Sequence, residues 1–380
     1  MSDVQKTRTI QITITEKCNL NCTYCYEHHK NCGSLSLDYV KDIFRRHLAE
    51  KQYDEIHFDF LGGEPALAFD VLRPACEWLW ENAHDQKYIC FASTNGTLIH
   101  GEIQDWFRKN AARFWLGLSL DGTREMQNVN RSNSYDEIDF SFFRETWPDQ
   151  TVKMTISPQT LPNLCEGIFH IYELGFGVSA NLAHGVKWPH ELLPVYREQL
   201  QRLADFYLEN PEYTPVRLVD FDMRKIGAKV LCPELSDTPC KWCGTGERLL
   251  CYGVDGNIYP CQMFAPSSTA VNGKAMLGRI DFSCLRNFAD PRCSDCCLTP
   301  GCPTCYGMNY VETGNISTRP RDMCDFYKCE AVATSYLYGK MLADENRYPR
   351  IQTMKPSEKL ACIRGIEIVQ RALADQVAGY

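Results

Sequence analysis

The sequence predicts an α/β fold: a TIM-like (β/α)6 barrel, complete or partial, followed by a cysteine-rich module and C-terminal helices. Six strand-like segments alternate with six segments of helical periodicity, which is typical of a parallel sheet covered by helices. Thirteen of the 21 cysteines lie between Cys232 and Cys329. We therefore expect the barrel at residues 1–230, the module at 231–330 and a helical segment at 331–380.

Each element is predicted from its own local pattern. Short runs rich in β-branched and aromatic residues favour strands at residues 9–14, 55–61, 88–94, 114–120, 151–156 and 178–182. Apolar residues with helical spacing favour barrel helices at 37–50, 71–82, 102–110, 140–146, 163–174 and 190–210, and tail helices at 331–344 and 358–378. Because a β/α barrel builds its active site at the C-terminal ends of its strands, the residues after each strand are candidates for chemistry.

Composition excludes several classes of function. With 40 basic and 48 acidic residues, the net charge of −8 offers no general attraction to nucleic acid or to anionic lipid. The sequence begins without an apolar targeting segment and contains no run of about 18 apolar residues. We therefore expect a cytoplasmic protein without nucleic-acid or membrane partners. In a reducing cytoplasm, abundant thiols are more often metal ligands or redox groups than disulfides.

The first cluster of cysteines directly follows the first predicted strand. Cys18, Cys22 and Cys25 have C-x3-C-x2-C spacing. Three thiols are one short of a closed structural zinc site, whereas a [4Fe–4S] cluster held by three cysteines keeps one iron open to another ligand. This motif resembles that of the radical S-adenosylmethionine (SAM) superfamily.

The resemblance extends to the ends of later strands. In that superfamily a segment like Gly62-Gly63-Glu64 meets the amino group of the SAM methionine, and Ser119 and Arg131 correspond to contacts with the ribose and carboxylate region. A plain strand-to-helix turn and a surface salt bridge are the alternatives for the glycine segment and for Arg131. The resemblance implies reductive cleavage of SAM to a 5′-deoxyadenosyl radical that abstracts hydrogen, fed by a low-potential donor such as flavodoxin or ferredoxin.

The downstream cysteines resemble a SPASM domain, which normally holds two auxiliary [4Fe–4S] clusters beside the catalytic one, three in all. Order along the chain implies Cys240, Cys243, Cys261 and Cys305 for the first auxiliary cluster, and Cys293, Cys296, Cys302 and Cys324 for the second. Cys251 competes with Cys243, and Cys297 and Cys329 are alternatives in the second site. One residue fewer than usual separates Cys302 from Cys305. Two structural zinc sites in a non-catalytic peptide-binding scaffold are the alternative interpretation.

Gln262 indicates the substrate class. Anaerobic sulfatase maturases carry an aspartate immediately after the cysteine that corresponds to Cys261, where it acts as the base, and an amide cannot take that proton. We therefore predict a maturase that installs a thioether or carbon-based crosslink in a ribosomally made precursor peptide. The alternative is a formylglycine-generating sulfatase maturase in which another acid, such as Asp222 or Glu247, replaces the base. No catalytic residue is assigned from the sequence.

Overall fold

The computed structural model describes residues 6–83, 85–231, 241–269 and 276–377. Its strands are β1 Thr7–Thr15, β2 Glu55–Gly62, β3 Lys87–Thr94, β4 Phe114–Leu118, β5 Thr151–Ile156, β6 Gly177–Leu182, β7 Leu249–Tyr252 and β8 Ile258–Tyr259. Its α-helices are α1 Leu37–Leu48, α2 Phe69–Asn82, α3 Gly101–Lys109, α4 Arg124–Asn130, α5 Phe140–Thr146, α6 Leu164–Glu173, α7 Leu193–Glu209, α8 Met223–Leu231, α9 Pro266–Thr269, α10 Met276–Arg279, α11 Tyr306–Thr313, α12 Cys324–Ala343, α13 Pro349–Gln352, α14 Pro356–Ala372 and α15 Ala374–Val377.

These elements form two compact units. The first comprises Met1–Met154, His170–Gly177 and Cys243–Ser283, and the second comprises Thr155–Phe169, Val178–Trp242 and Cys284–Tyr380. All six predicted strands are confirmed as β1 to β6, and the six predicted barrel helices are confirmed as α1, α2, α3, α5, α6 and α7. The domain boundaries expected at residues 230 and 330 stay predictions.

The main sheet belongs to the first unit. Its strand order is β4-β3-β2-β1-β7-β8, with parallel pairing throughout except between β7 and β8. β5 and β6 pair with each other, and an isolated parallel bridge joins Ser119 to Lys153. The carboxyl ends of β1 to β4 therefore lie along one edge, which places the residues that follow them side by side.

Alternation along the strands separates an apolar layer from a polar one. Ile10 of β1 pairs with Phe58 of β2, Ile12 pairs with Phe60, and all four side chains are fully buried. Phe44 of α1 packs against Phe58 with ring centroids 4.7 Å apart, so α1 covers this face of the sheet. Residues at the intervening positions point to the opposite face, where polar side chains gather.

Two helices of the second unit cross at a pair of glycines. A Cβ atom on Gly227 of α8 would lie 1.8 Å from the carbonyl oxygen of Ala361 in α14, and a Cβ on Gly365 of α14 would lie 2.0 Å from that of Met223. These distances leave no room for a side chain at either glycine, so the two glycines set how closely the two backbones approach.

Among the described residues, none of the helices has the length and apolar character needed to span a bilayer.

Replacing Gly365 by Ala should destabilise the protein, because the new methyl group overlaps the carbonyl oxygen of Met223. Overpacking of this kind costs about 1–3 kcal/mol, which thermal or urea unfolding measures directly. Gly339→Ala in α12 is the matched control, since a Cβ there meets nothing within 4 Å. If the two variants unfold alike, the close crossing does not limit stability.

Candidate active site

The loop after β1 holds three half-buried thiols, Cys18, Cys22 and Cys25. The amide of Cys25 donates to the carbonyl oxygen of Cys22 over 3.1 Å, and the amide of Leu20 donates to Cys18 Sγ over 3.5 Å. Burial raises the pKa of Cys18 and raises the pKa of Cys22 to about 11, and charge on the neighbouring thiols acts in the same direction. The structure thus gathers the three predicted ligands in one loop as neutral thiols, which must lose their protons to bind metal.

Lys30 supplies positive charge beside these thiols. Burial alone would lower the pKa of the Lys30 ammonium, but Cys25, Cys18 and Glu27 raise it overall, and the lysine hydrogen-bonds to Cys25. Lys30 Nζ also lies 3.7 Å from Glu27 Oε2. Burial raises the pKa of Glu27 to about 7 despite this lysine. A cation in this position favours the thiolate form that an iron–sulfur cluster requires.

A buried carboxylate, Asp121, fixes the middle of the cysteine loop. The Tyr24 hydroxyl donates to Asp121 Oδ2 over 2.5 Å, and Asn130 Nδ2 donates to the same oxygen over 3.1 Å. Arg131 Nη2 donates to Asp121 Oδ1 over 3.1 Å, and its Nε lies 2.9 Å from Oδ2. The ion pair of Arg131 is therefore buried, in contrast to the surface salt bridge considered from the sequence.

The backbone of the cysteine loop is tied to the segment after α4. Asn21 N donates to Ser132 Oγ over 2.9 Å, and Thr23 N donates to the carbonyl oxygen of Asn130 over 3.0 Å. Ser132 and Asn133 have φ angles of 54° and 58°, in the left-handed region that residues other than glycine seldom adopt. The loop is therefore bound by the last carbonyl oxygen of α4 and by a hydroxyl group of the strained turn that follows it.

Gly62 and Gly63, at the end of β2, let this strand approach the start of the same loop. A Cβ on Gly62 would lie 2.2 Å from the carbonyl oxygen of Thr15, and a Cβ on Gly63 would lie 2.3 Å from that of Lys17. The amide of Gly63 donates to Thr15 O over 3.1 Å, and the amide of Glu64 donates to Lys17 O over 2.8 Å. Any side chain at Gly62 or Gly63 would push the cysteine loop away.

Glu64 is fully buried and already has internal partners. Its Oε1 accepts from Thr94 Oγ1 over 2.8 Å and from the amide of Ala66 over 3.1 Å, and its Oε2 accepts from the amide of Asn95 over 2.7 Å. Burial raises the pKa of Glu64, although these hydrogen bonds and Arg131 oppose the rise. Three of about four acceptor positions on the carboxylate are occupied, which leaves one for a further donor.

Ser119 directly follows β4 and is also buried. Its amide donates to the carbonyl oxygen of Thr94 over 3.0 Å. The five residues predicted to contact SAM lie in the same unit as the cysteine loop: Gly62, Gly63 and Glu64 at the end of β2, Ser119 directly after β4, and Arg131 directly after α4. Their positions alone do not test whether these residues contact SAM, so the five assignments stay predictions.

The two acids considered as substitute bases have other surroundings. Asp222 belongs to the second unit and lies within 3.4 Å of Lys225 Nζ and 3.5 Å of Arg224 Nε. Glu247 is exposed on a turn before β7. Two acids of the first unit were not assigned from the sequence: Asp121, described above, and Asp59. An acidic residue between Phe58 and Phe60 of a buried strand is the signal that points to Asp59.

The cysteines of the predicted auxiliary clusters are divided between the two units. Cys243 is exposed and Cys261 is buried, both in the first unit, whereas Cys240 lies outside the described residues. Cys251, the competitor of Cys243, is buried within β7, and its Sγ lies 3.5 Å from Thr13 Oγ1. These positions leave the first auxiliary site a prediction.

Five cysteines of the second unit line one cavity of about 150 Å3: Cys293, Cys296, Cys302, Cys305 and Cys324. A hydrogen bond from Cys297 lowers the pKa of Cys296 to about 5, whereas burial raises the pKa of Cys302 to about 12. Arg319, Arg321 and Lys328 also line the cavity and bring positive charge to it. Across the described residues, no three His, Cys, Asp or Glu side chains converge closely enough to hold a single metal ion.

Comparisons with known proteins show which family, relative and folds the chain resembles. Residues 12–139 match the radical SAM superfamily. A cysteine-type anaerobic sulfatase-maturating enzyme from Clostridium perfringens is 26% identical over 279 residues, which cover 65% of this chain and 72% of that protein.

Two solved structures have a similar fold. The structure of anSMEcpe with bound AdoMet superposes with a TM-score of 0.68 at 18% identity, covering 94% of this chain and 98% of that one. SuiB from Streptococcus suis, bound to its precursor peptide SuiA, superposes with a TM-score of 0.56 at 16% identity, covering 83% of this chain and 75% of SuiB. At these identities the likeness shows the fold.

Replacing Asp121 by Asn should destabilise the protein by about 3 kcal/mol, because the guanidinium of Arg131 would remain buried without its counter-charge. Urea unfolding monitored by circular dichroism measures the change. Asp136→Asn is the matched control: it removes an ion pair with Arg124 whose two side chains are more than half exposed, and it should leave stability unchanged. Equal stability of the two variants would show that Asp121 does not anchor the loop.

Proposed function

We propose that this chain, a radical SAM superfamily enzyme with its radical SAM domain at residues 12–139, modifies a ribosomally made precursor peptide. The reaction is the abstraction of hydrogen by a 5′-deoxyadenosyl radical, followed by formation of a thioether or carbon-based crosslink. The observation that carries the substrate class is Gln262, whose side-chain amide cannot act as a base where sulfatase maturases have an aspartate. A precursor peptide bound to SuiB is in accord with such a substrate.

The residues of the first unit have distinct roles in this proposal. Cys18, Cys22 and Cys25 hold the catalytic [4Fe–4S] cluster, a group to which their three sulfur donors are suited. When bound, the cluster and SAM together supply one-electron chemistry that generates the radical. Glu64 has one acceptor position left for the amino group of SAM, and Asp121 orients Arg131 for the SAM carboxylate.

Two auxiliary clusters complete the proposal. Four of the cysteines that line the cavity of the second unit provide thiol ligands for one of them, and the basic residues of the cavity give it a positively charged rim; the four are Cys293, Cys296, Cys302 and Cys324. For the other, the resemblance in sequence alone implies Cys240, Cys243, Cys261 and Cys305 as ligands. A flavodoxin or ferredoxin supplies the low-potential electron. The thioether or carbon crosslink requires removal of two electrons from the peptide, and the auxiliary clusters are the class of acceptor that would receive the second.

A sulfatase maturase is the second candidate. The likeness to the Clostridium perfringens enzyme, which extends over 72% of that protein, favours it. Gln262 opposes it, unless another carboxylate of the chain takes the proton.

Anaerobically reconstituted protein should be brown and, with dithionite, should convert SAM to 5′-deoxyadenosine. Replacing Cys18, Cys22 or Cys25 by Ala should abolish this conversion and remove about a third of the iron, since one of three four-iron clusters is lost. Cys32→Ala is the matched control, because Cys32 is an exposed cysteine outside the motif. Cleavage retained in Cys25→Ala, or a colourless protein that contains zinc alone, would contradict the assignment.

The substrate class is tested with synthetic peptides encoded by short reading frames beside the gene. A loss of two hydrogens per event, measured by mass spectrometry, is expected for a crosslink, and an unchanged mass with altered stereochemistry would indicate epimerisation instead. The same assay with a peptide that contains C-x-P-x-R tests the sulfatase-maturase alternative. Formylglycine in that peptide, with no change in the neighbouring-gene peptides, would overturn the proposed crosslinking.

A further inference from the structure

The inner face of the main sheet, opposite the face that α1 covers, carries one continuous row of side chains. The backbone register pairs Cys251 with Gln11, Gln11 with Asp59, Asp59 with Phe91, and Phe91 with Trp115. Paired residues of a parallel sheet point to the same side, so these five residues of β7, β1, β2, β3 and β4 share a face. Asp59 is the carboxylate of this row and lies between an amide side chain and an aromatic ring.

Asp59 is half-buried, and within the described part of the chain its Oδ1 is buried without a hydrogen-bond partner. Burial raises the pKa of the carboxyl group. Lys153 of β5, a hydrogen bond from Gln11 and His57 of its own strand oppose that rise without cancelling it. Cys251 of β7 is a neutral thiol, because burial raises its pKa to about 12 and the charge of Asp59 acts in the same direction. A buried, unpartnered carboxylate oxygen is costly, and it persists where a ligand or reaction uses it.

Gln11 connects Asp59 to the position where a sulfatase maturase has its base. The amide of Gln262 donates to Gln11 Oε1 over 3.2 Å. The side chain of Gln11 in turn hydrogen-bonds to Asp59. The side chain of Gln262 itself hydrogen-bonds to the buried hydroxyl of Tyr26. One side-chain amide therefore separates Asp59 from residue 262, which carries no carboxylate of its own.

Lys153 is close enough to Asp59 for its charge to act on the carboxylate, but its ammonium group hydrogen-bonds to another residue. Its Nζ donates to Ser93 Oγ over 2.7 Å and lies 5.3 Å from the centroid of the Phe91 ring. The ammonium stays close enough to stabilise the ionised carboxylate, which keeps Asp59 able to accept a proton. Phe91 and Trp115 make the remainder of the row apolar, as expected for a surface that a peptide side chain covers.

We propose that Asp59 is the catalytic base of this enzyme and that its carboxylate accepts the proton that the substrate peptide loses. The inference rests on the proposed function and deepens it. Asp59 would serve equally as the base of the sulfatase-maturase alternative, so the choice between the two reactions rests on the peptide assays described above. For a thioether, a carbon–hydrogen bond loses a hydrogen atom to the 5′-deoxyadenosyl radical, which becomes 5′-deoxyadenosine. A thiol loses its proton to Asp59, the carbon–sulfur bond forms, and the remaining electron passes to an acceptor of the iron–sulfur class.

The test compares wild-type holoenzyme with Asp59→Asn, Asp59→Glu and the control Asp42→Asn, which alters an exposed acid of α1. The probes are the synthetic peptides encoded beside the gene, and 5′-deoxyadenosine and modified peptide are measured in the same reactions. Asp59→Asn should keep 5′-deoxyadenosine formation within about twofold of wild type while the kcat for modified peptide falls at least about 100-fold. Asp59→Glu should retain part of the product, and Asp42→Asn should match wild type.

The pH profile gives an independent measurement. Because the base must be ionised to accept a proton, wild-type product formation should fall as pH drops through the raised pKa of Asp59, and the residual activity of Asp59→Asn should lack this step. Product formation by Asp59→Asn at the wild-type rate would overturn the proposal. A raised KM for peptide with unchanged kcat would also overturn it, since that pattern indicates a binding contact.

Failure of the proposed function has a different signature, namely wild-type enzyme that leaves every probe peptide unmodified. Asp59 can still be tested in that case by isotope-edited infrared titration of its carboxyl group, as the difference between wild type and Asp59→Asn. A carboxyl pKa raised above the ordinary aspartate value of about 3.9 supports the base assignment. An ordinary or lowered pKa would refute it without reference to any substrate.

Discussion

The carboxylate of Asp121 is the group on which the geometry of the candidate active site depends. It is fully buried, and its negative charge is balanced by Arg131 and by hydrogen bonds from Tyr24 and Asn130. A buried carboxylate with this many partners holds its donors in one arrangement, because moving any donor away would leave an unpaired carboxylate oxygen in the low-dielectric interior. Since Tyr24 belongs to the cysteine loop, the position of the loop and that of the β4 end are coupled.

The glycines of β2 add a second constraint of a different kind. Because Gly62 and Gly63 have no side chains, the amides of Gly63 and Glu64 come within hydrogen-bonding distance of the carbonyl oxygens of Thr15 and Lys17. The cysteine loop is thus held at its start by backbone hydrogen bonds and at its middle by the hydrogen bond from Tyr24 to the buried carboxylate of Asp121. A loop fixed at both points can present three thiols in a defined arrangement before any metal arrives, so that less conformational entropy is lost when metal binds.

Sequence reasoning succeeded where the relevant interactions are local. Alternating Ile and Thr residues identify β1, and the cysteine spacing after it identifies the loop, since both patterns repeat over a few residues. It failed for interactions that join distant parts of the chain. Nothing near Glu64 in sequence reveals that Asn95 and Thr94 occupy its carboxylate, and nothing near Gln11 reveals its pairing with Asp59. These contacts are set by strand register, which depends on the whole sheet.

The pairing of β1 with β7 also constrains the order of folding during synthesis. Gln11 pairs with Cys251, so one edge of the first strand has no partner until some 240 further residues have left the ribosome. Until then the nascent sheet ends in an open edge rich in Ile and Thr, a surface prone to pair with other chains. A fragment that stops at residue 230 would keep that open edge permanently. Expression of the intact chain is therefore the safer route to folded protein.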